Sequence, residues 1–223
     1  MILSFAHNKN KVVLLCIGIL ALTAIIFESY NTLIYGISKG LTTTLVILMA
    51  VKNSSCLLNK IIVAGLLFCL FGDLLLLNQD YFVFGLISFF LAHALFLIGL
   101  LRHYNSKQKL WIYFIFWSVG AIIFYGLYPN LKALTYPVLA YVFIISSMSA
   151  QAARAYILNR NNKTALLFAG ALFFMLSDTV LAYSKFVHTY KFSSVLILST
   201  YWIAISLIGL SNSYLNQPYE NQS

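Results

Sequence analysis

The sequence predicts an all-α, polytopic integral membrane protein: a bundle of eight transmembrane helices with both termini in the cytoplasm. Hydrophobic residues make up 61% of the 223 residues, charged residues make up 9%, and the mean hydropathy is +0.89. A soluble domain carries about 25% charged residues, so this chain lacks the polar surface that water requires. We expect a single membrane domain over residues 1–223, embedded in the inner (cell) membrane of a bacterium.

Eight apolar segments reach or approach the ~20 residues that a helix needs to cross a hydrocarbon core of ~30 Å. They are continuous rather than alternating, which favours helices over the strands of a barrel. The first segment follows Lys9 and Lys11 as a signal peptide would, but no small-residue cleavage site comes after it, so we interpret it as a helix. The predicted helices are 12–27, 32–51, 61–77, 81–101, 110–128, 133–153, 164–183 and 193–214.

The basic residues are unevenly divided between the two ends of these helices, which predicts their orientation. At the end shared with the N-terminus lie Lys9, Lys11, Lys52, Lys60, Arg102, Lys107, Lys109, Arg154, Arg160 and Lys163, whereas the other end has Lys132, Lys185 and Lys191. This bias places both termini in the cytoplasm. The basic residues that give the net charge of +9 would then lie mainly beside the anionic headgroups of the inner leaflet, so no nucleic acid partner is needed to explain this charge.

Two aspartates lie within apolar segments of a chain that has only 5 acidic residues. Asp73 lies in LLFCLFGDLLLL and Asp178 in LLFAGALFFMLSDTVLAY, and each follows a small residue, Gly72 or Ser177. An acidic residue at the centre of a membrane helix costs roughly 2.5–3.5 kcal/mol on insertion scales, and such residues usually face a cavity or a partner. The pair therefore predicts a polar site inside the bundle.

Other polar side chains lie at about the same depth as these two carboxylates. With a rise of 1.5 Å per residue, Asp73, Asp178 and Lys39 each lie roughly 20 Å from the inner end of their helices. We predict that Asp73 and Asp178 are catalytic and that the substrate contacts Lys39, His93, Tyr141, Ser177 and Tyr201. Structural alternatives remain open for them: helix bonding for the aspartates, snorkelling for Lys39, packing for the tyrosines, and a backbone bond for His93.

Two catalytic motifs are only partly matched. Residues 36–40 read G-x-S-x-G, but the nucleophile elbow needs a strand-to-helix turn, and here the residues open a membrane helix. The pair Gly72–Asp73 resembles the G-x-G-D of intramembrane aspartyl proteases, yet Leu70 stands where the first glycine belongs. The 3 cysteines and 4 histidines show no metal-ligand spacing, so we expect no metal and no cofactor.

Several stretches together resemble the YhhN-like transmembrane lysoplasmalogenases. Their order and spacing fit from about residue 35 to about residue 210, although each stretch alone is a degenerate apolar string. Gly40 stands where the family usually has proline. Ile205 stands where, in the family, a glutamine often follows the Tyr-x-x-Ala stretch. The stretches are SKGLTT (38–43), FGDLLL (71–76), GLISFFLAH (85–93), PVLAY (137–141) with Met148 downstream, FFMLSD (173–178) and TYWIA (200–204).

The resemblance implies that the chain hydrolyses the vinyl ether bond of a lysophospholipid, lysoplasmalogen. The products would be a fatty aldehyde and glycerophosphoethanolamine or glycerophosphocholine. The residues suit this chemistry, because protonation of the vinyl ether gives an oxocarbenium ion, and glycosidases handle such an ion with one carboxylic acid and one carboxylate. Two other classes remain open: a proton-coupled transporter that uses Asp73 and Asp178, and a non-enzymatic lipid-binding membrane protein. The sequence gives no oligomeric state.

Overall fold

The computed structural model describes residues 2–28, 30–51 and 56–214, with side chains from residue 11 onward. Within these ranges it contains helices and no strand. Lys52 and the C-terminal residues 215–223, which entered the predicted orientation, lie outside the described residues. The α-helices are α1 (Ile2–Phe27), α2 (Thr32–Val51), α3 (Leu57–Leu75), α4 (Phe82–His103), α5 (Trp111–Leu127), α6 (Thr135–Asn159), α7 (Asn162–Phe186) and α8 (Ser193–Ser211).

The helices from α2 to α8 are long and apolar enough to span a membrane, some together with a short 3₁₀ turn at one end. The first helix contributes a shorter apolar stretch, Lys11–Phe27. Large apolar side chains along the outside of the bundle, such as Leu33 and Ile122, are exposed. The chain is an integral, multi-pass membrane protein, as its composition predicts.

Several helix ends differ from the predicted bounds, some extended by polar residues and some shorter than the apolar segment. Helix α1 begins at Ile2 rather than at residue 12, and α6 continues to Asn159 rather than ending at residue 153. Helix α3 covers Leu57–Leu75 in place of 61–77, and α8 ends at Ser211 before a 3₁₀ turn. Hydropathy marks the part of a helix that lies in lipid, and capping residues decide where the helix itself ends.

Capping groups define several of these ends. The Asn31 side-chain oxygen accepts hydrogen bonds from the backbone N–H groups of Leu33 and Ile34, both at 3.0 Å, at the start of α2. Asn161 and Thr164 form a reciprocal capping box at the start of α7. These caps fix where α2 and α7 begin, and both helices carry polar residues of the candidate site.

The most extensive helix–helix contacts are those of α3 with α4 and of α7 with α8. At Gly72, a Cβ atom would lie 2.6 Å from the Phe89 ring, so only glycine allows α3 and α4 to approach this closely. Gly170 has the same effect between α7 and α8, because a Cβ there would lie 3.0 Å from the carbonyl oxygen of Ala204. Gly72 directly precedes Asp73, and this close packing holds that aspartate inside the bundle.

Candidate active site

Asp73 is a buried carboxylate surrounded by donors from two other helices. Its side chain is 1% exposed. Its Oδ2 atom accepts hydrogen bonds from the Thr43 hydroxyl at 2.5 Å and from the Tyr201 hydroxyl at 2.8 Å. Lys39 Nζ lies 3.6 Å from Oδ1. One carboxylate thus links α3 to α2 and α8, and both of its oxygens have a donor close by.

Lys39 and Thr43 reach Asp73 from the same face of α2, because residues four apart on a helix are neighbours. Lys39 is 5% exposed, and its ammonium group lies 5.7 Å from the centre of the Tyr35 ring. An unpaired ammonium group at this depth is unfavourable. The aspartate and the aromatic face therefore provide the partners that a buried lysine requires.

Asp178 has a different environment, with fewer donors and more exposure. Its side chain is 12% exposed, and its Oδ2 atom accepts a hydrogen bond from the Tyr141 hydroxyl at 2.5 Å. His93 Nε2 lies 3.7 Å from the same oxygen, beyond hydrogen-bond distance. The histidine ring is fully buried and packs edge-on against Phe174, with ring centres 4.4 Å apart. The hydrogen bond from Tyr141 thus joins α7 to α6, while His93 brings α4 close to the same carboxyl group.

Both aspartates line one cleft of about 240 Å³. Its walls come from the ends of α1, α3 and α7 and from the first halves of α2, α4 and α8. The polar groups at its floor are Lys39, Asp73, Ser177, Asp178 and Tyr201. Nearer the helix ends, the lining includes Glu28, Asn78, Gln79, Ser184, Lys185 and Ser194. A substrate in this cleft would therefore have two carboxyl groups at its inner end and polar groups of both signs at its mouth.

A second, apolar cavity of about 40 Å³ lies on the other side of Asp178. It is lined mainly by apolar side chains of α4, α5, α6 and α7, among them Leu86, Leu127 and Met175. Tyr141 and Asp178 are on its wall, and Asp178 also lines the polar cleft. Asp178 thus stands where a polar space meets an apolar one.

The structure divides the residues that the depth estimate had grouped together. Lys39, Asp73, Ser177, Asp178 and Tyr201 line the cleft. Tyr141 and His93 are not on the described lining of this cleft; the Tyr141 hydroxyl bonds Asp178, and His93 lies beside the same oxygen. Helical rise predicts depth but not rotation about the helix axis, and rotation decides which wall a side chain joins. Ser177 lies at the cleft, and its hydroxyl donates to the Ile197 carbonyl oxygen of α8 at 3.0 Å.

Sequence reasoning missed Thr43 and the charged residues at the cleft mouth. Thr43 is fully buried and bonds Asp73, and its position four residues after Lys39 was the available signal. Glu28 and Lys185 lie at helix ends, where a charged side chain is ordinary and gives no signal by itself. Among the described residues, no three His, Cys, Asp or Glu side chains are grouped as a metal site would require.

Comparison with known proteins gives a consistent result. The model of the YhhN family matches residues 34–212. The lysoplasmalogenase TMEM86A of Bos taurus is 35% identical over 167 residues, and that of Homo sapiens is 33% identical over 167 residues. Each alignment covers 72% of this chain and 68% of the relative. No solved structure gives a significant match. The matched range contains every residue of the two aspartate clusters, and the chain belongs to the YhhN family.

Proposed function

We propose that this protein is a lysoplasmalogenase, which hydrolyses the vinyl ether bond of a lysophospholipid to a fatty aldehyde and glycerophosphoethanolamine or glycerophosphocholine. The observation that carries the proposal is the placement of Asp73 and Asp178 on one cleft, with an apolar cavity directly behind Asp178. The names of the two relatives agree with it. A lipid with a polar head and a single apolar chain matches a polar cleft that adjoins an apolar cavity.

The environments of the two aspartates suggest separate roles. Asp73 has two hydroxyl donors and an ammonium group around it, and such donors stabilise an ionised carboxylate. Asp178 accepts one hydroxyl on Oδ2, which leaves Oδ1 available to carry a proton. We assign Asp178 as the general acid and Asp73 as the carboxylate that stabilises the cation and activates water. Tyr141 and His93 then act as positioning residues for Asp178 rather than as substrate contacts.

The reaction follows from these two roles. Asp178 donates its proton to the β-carbon of the vinyl ether, and the double-bond electrons form the new C–H bond. The resulting oxocarbenium ion lies beside ionised Asp73, which takes a proton from water as the water oxygen bonds the α-carbon. The hemiacetal then transfers its hydroxyl proton to ionised Asp178 while the glycerol oxygen, protonated by Asp73, leaves. The aldehyde carries the water oxygen, and both aspartates return to their starting states.

The position of Asp178 agrees with the orientation that the vinyl ether would need in the site. The β-carbon is on the alkenyl side of the ether oxygen, so the acid should face the apolar chain. Asp178 lines both the cleft and the apolar cavity, whereas Asp73 lines the cleft and is absent from the described lining of the apolar cavity. The apolar cavity would hold the part of the chain next to the double bond, and glycerol would lie in the cleft.

The direct test is aldehyde release from lysoplasmalogen by the purified protein. In D₂O, the aldehyde should carry one deuterium on the carbon that was the β-carbon of the vinyl ether. In H₂¹⁸O, the aldehyde should carry the heavy oxygen. In both experiments the aldehyde is reduced at once to the alcohol to prevent exchange with the solvent. The saturated alkyl ether analogue should be inert because it cannot be protonated to an oxocarbenium ion. Absence of aldehyde, or proton flux through liposomes without hydrolysis, would refute the proposal and favour a transporter.

The proposed orientation places both termini in the cytoplasm of a bacterial cell with the protein in its inner membrane, so that the cleft opens outward. Reporter fusions after Lys60, Lys109, Lys163 and Ser223 should report inside. Fusions after Asp80, Lys132 and Lys191 should report outside. A C-terminal fusion that reports outside would mean an odd number of membrane crossings and would reverse the side on which the cleft opens.

A further inference from the structure

The mouth of the cleft carries two opposite charges that the proposed chemistry does not use. Glu28, at the end of α1, and Lys185, near the end of α7, both line the cleft. No ion pair joins them among the described residues, where Lys39 pairs with Asp73 instead. Two separate charges of opposite sign around one opening match a ligand that itself carries a positive and a negative group.

Lys185 is placed to receive an anion. Its ammonium group lies 4.7 Å from the centre of the Phe82 ring and 3.5 Å from the Gln79 side-chain oxygen, and all three residues line the cleft. These contacts involve a ring face and a neutral oxygen, so the lysine charge is not neutralised by them. Lys39, the other lysine of the cleft, is buried beside Asp73. Of these two, Lys185 is the one available to a phosphate.

The spacing along α7 agrees with a glycerophospholipid. Asp178 and Lys185 are seven residues apart on the same helix, which corresponds to roughly 10 Å of axial rise. A vinyl ether at Asp178 would thus place its glycerol along the cleft and its phosphate near the level of Lys185. The amine of the headgroup lies beyond the phosphate, toward the mouth, where Glu28 provides the carboxylate.

We infer that the cleft mouth is a headgroup subsite for zwitterionic lysophospholipids, in which Lys185 binds the phosphate and Glu28 binds the ammonium group of ethanolamine or choline. The inference rests on the proposed function, because it uses the position of the vinyl ether at the two aspartates. It assigns substrate selection to a pair of residues that take no part in bond cleavage.

Kinetics of single variants test this subsite. Lys185→Gln should raise KM for lysoplasmenylethanolamine and lysoplasmenylcholine roughly five- to tenfold with little change in kcat, because it removes a charge-assisted contact. The same variant should leave KM for an alkenylglycerol, which has no phosphate, unchanged. Glu28→Gln should raise KM for both zwitterionic substrates severalfold and should lower KM for an alkenylglycerol phosphate, from which it removes a repulsion.

Two matched controls come from the same end of the bundle. Lys191→Gln removes a cation, and Asp80→Asn removes an acid, at residues that are not on the described lining of the cleft. Both should behave as wild type with every substrate. If Lys191→Gln raises KM as much as Lys185→Gln does, the effect is a general attraction to the bilayer, and the subsite is refuted. Equal effects of Lys185→Gln on alkenylglycerol and on lysoplasmenylcholine would refute it as well.

A binding measurement separates this inference from the proposed reaction. A saturated alkyl ether lysophosphocholine binds without being cleaved, and its affinity can be measured by native mass spectrometry of the full chain in nanodiscs. Lys185→Gln and Glu28→Gln should each weaken its binding several-fold, and inorganic phosphate should compete poorly because it lacks the ammonium group. Weakened binding without any vinyl ether hydrolysis would keep the headgroup subsite and refute the reaction, whereas hydrolysis with unchanged binding would refute the subsite alone.

Discussion

Buried polar residues occur at both ends of this bundle, but the two ends use them differently. At the cleft end, Lys39, Asp73, Asp178 and Tyr201 line an open space. At the opposite end, five polar side chains are each at most 6% exposed, and none of them is on the described lining of the cleft. They are Asn59, Gln151, Arg154, Lys163 and Asn212.

The opposite end uses its polar groups to join helices. Gln151 of α6 donates to the carbonyl oxygens of Leu100 at 3.3 Å and Tyr104 at 3.2 Å, and it accepts from the Tyr113 hydroxyl at 2.7 Å. Lys163 Nζ donates to the Asn59 side-chain oxygen at 3.1 Å. The Arg154 guanidinium donates to the Ser106 carbonyl oxygen. These bonds link α6 to α4 and α5, and α7 to α3.

Comparing the two ends shows that burial alone does not identify a functional polar residue in a membrane protein. Asp73 and Gln151 are both fully or almost fully buried and both bonded to several partners. What separates them is that Asp73 also lines the cleft, whereas Gln151 is not on its described lining. The comparison predicts that substitutions at the cleft end reduce catalysis and that substitutions at the opposite end reduce stability.

The largest effect should follow loss of either carboxyl group. Asp73→Asn and Asp178→Asn should each reduce kcat at least ~100-fold, because asparagine keeps the size of aspartate but supplies neither the acid nor the charge. Both variants should still fold, since the side-chain oxygen of asparagine can still accept hydrogen bonds from the donors that now bond each aspartate. Aldehyde release and thermal unfolding in detergent measure the two quantities.

Asp80→Asn is the matched control, because Asp80 is exposed at the same end and lies off the described cleft lining. It should retain wild-type turnover. Near-normal turnover in either cleft variant would mean that the residue is structural and that two-carboxylate catalysis is wrong. Equal losses of turnover and of folded protein would mean that the aspartate, like Gln151, stabilises the fold and is not catalytic.

Lys39→Met should have the next largest effect, a decrease in kcat of roughly tenfold. An ammonium group 3.6 Å from a carboxylate stabilises its ionised form, so the acid limb of the pH–rate profile should move to higher pH in this variant. Lys39→Arg keeps the charge and should retain the wild-type profile. If Lys39→Met instead raises KM and leaves kcat unchanged, Lys39 binds the phosphate and the role assigned to Lys185 is wrong.

At the opposite end, Gln151→Leu should lower the free energy of unfolding by about 1–2 kcal/mol, because it removes three interhelical hydrogen bonds of modest strength. The melting temperature in detergent should fall by a few degrees. Turnover per folded molecule should remain at least half that of wild type. A hundredfold loss of turnover with unchanged stability would contradict the division between the two ends.

The sequence predicted the surroundings of Asp73 better than those of Asp178. Apolar length and helical rise were enough to predict the helical bundle and to bring Asp73 to the level of Lys39 and Tyr201. The neighbours of Asp178 depend on the rotation of α4 and α6 about their axes. The stretches 89–97 of α4 and 137–145 of α6 are apolar apart from His93 and Tyr141 and give little rotational signal. The sequence therefore pointed to Tyr141 and His93 but not to their places beside Asp178.

The mouth of the cleft was beyond sequence reasoning for another reason. Glu28 and Lys185 are 157 positions apart, and each stands at the polar end of a helix, where charge is ordinary. Their presence on one cleft depends on the packing of α1 and α7 around α2 and α8, which no local pattern describes. Hydropathy placed the start of α2 correctly at residue 32, but it placed the start of α7 at 164 rather than at Asn162, because it ignores the capping box at Asn161.

The smallest expected effect belongs to Ser38→Ala, which should change kcat/KM less than ~2-fold. Ser38 is the central residue of the G-x-S-x-G pattern, and it is buried in α2 beside Lys39. It is not on the described lining of the cleft, so we expect its hydroxyl to make no contact with a bound ether. Treatment with a serine-directed fluorophosphonate should likewise leave aldehyde release unchanged. A large loss of activity in Ser38→Ala with a normal melting temperature would support a serine nucleophile instead. It would also mean that a residue off the described lining of the cleft takes part in catalysis, which the comparison of the two ends does not allow.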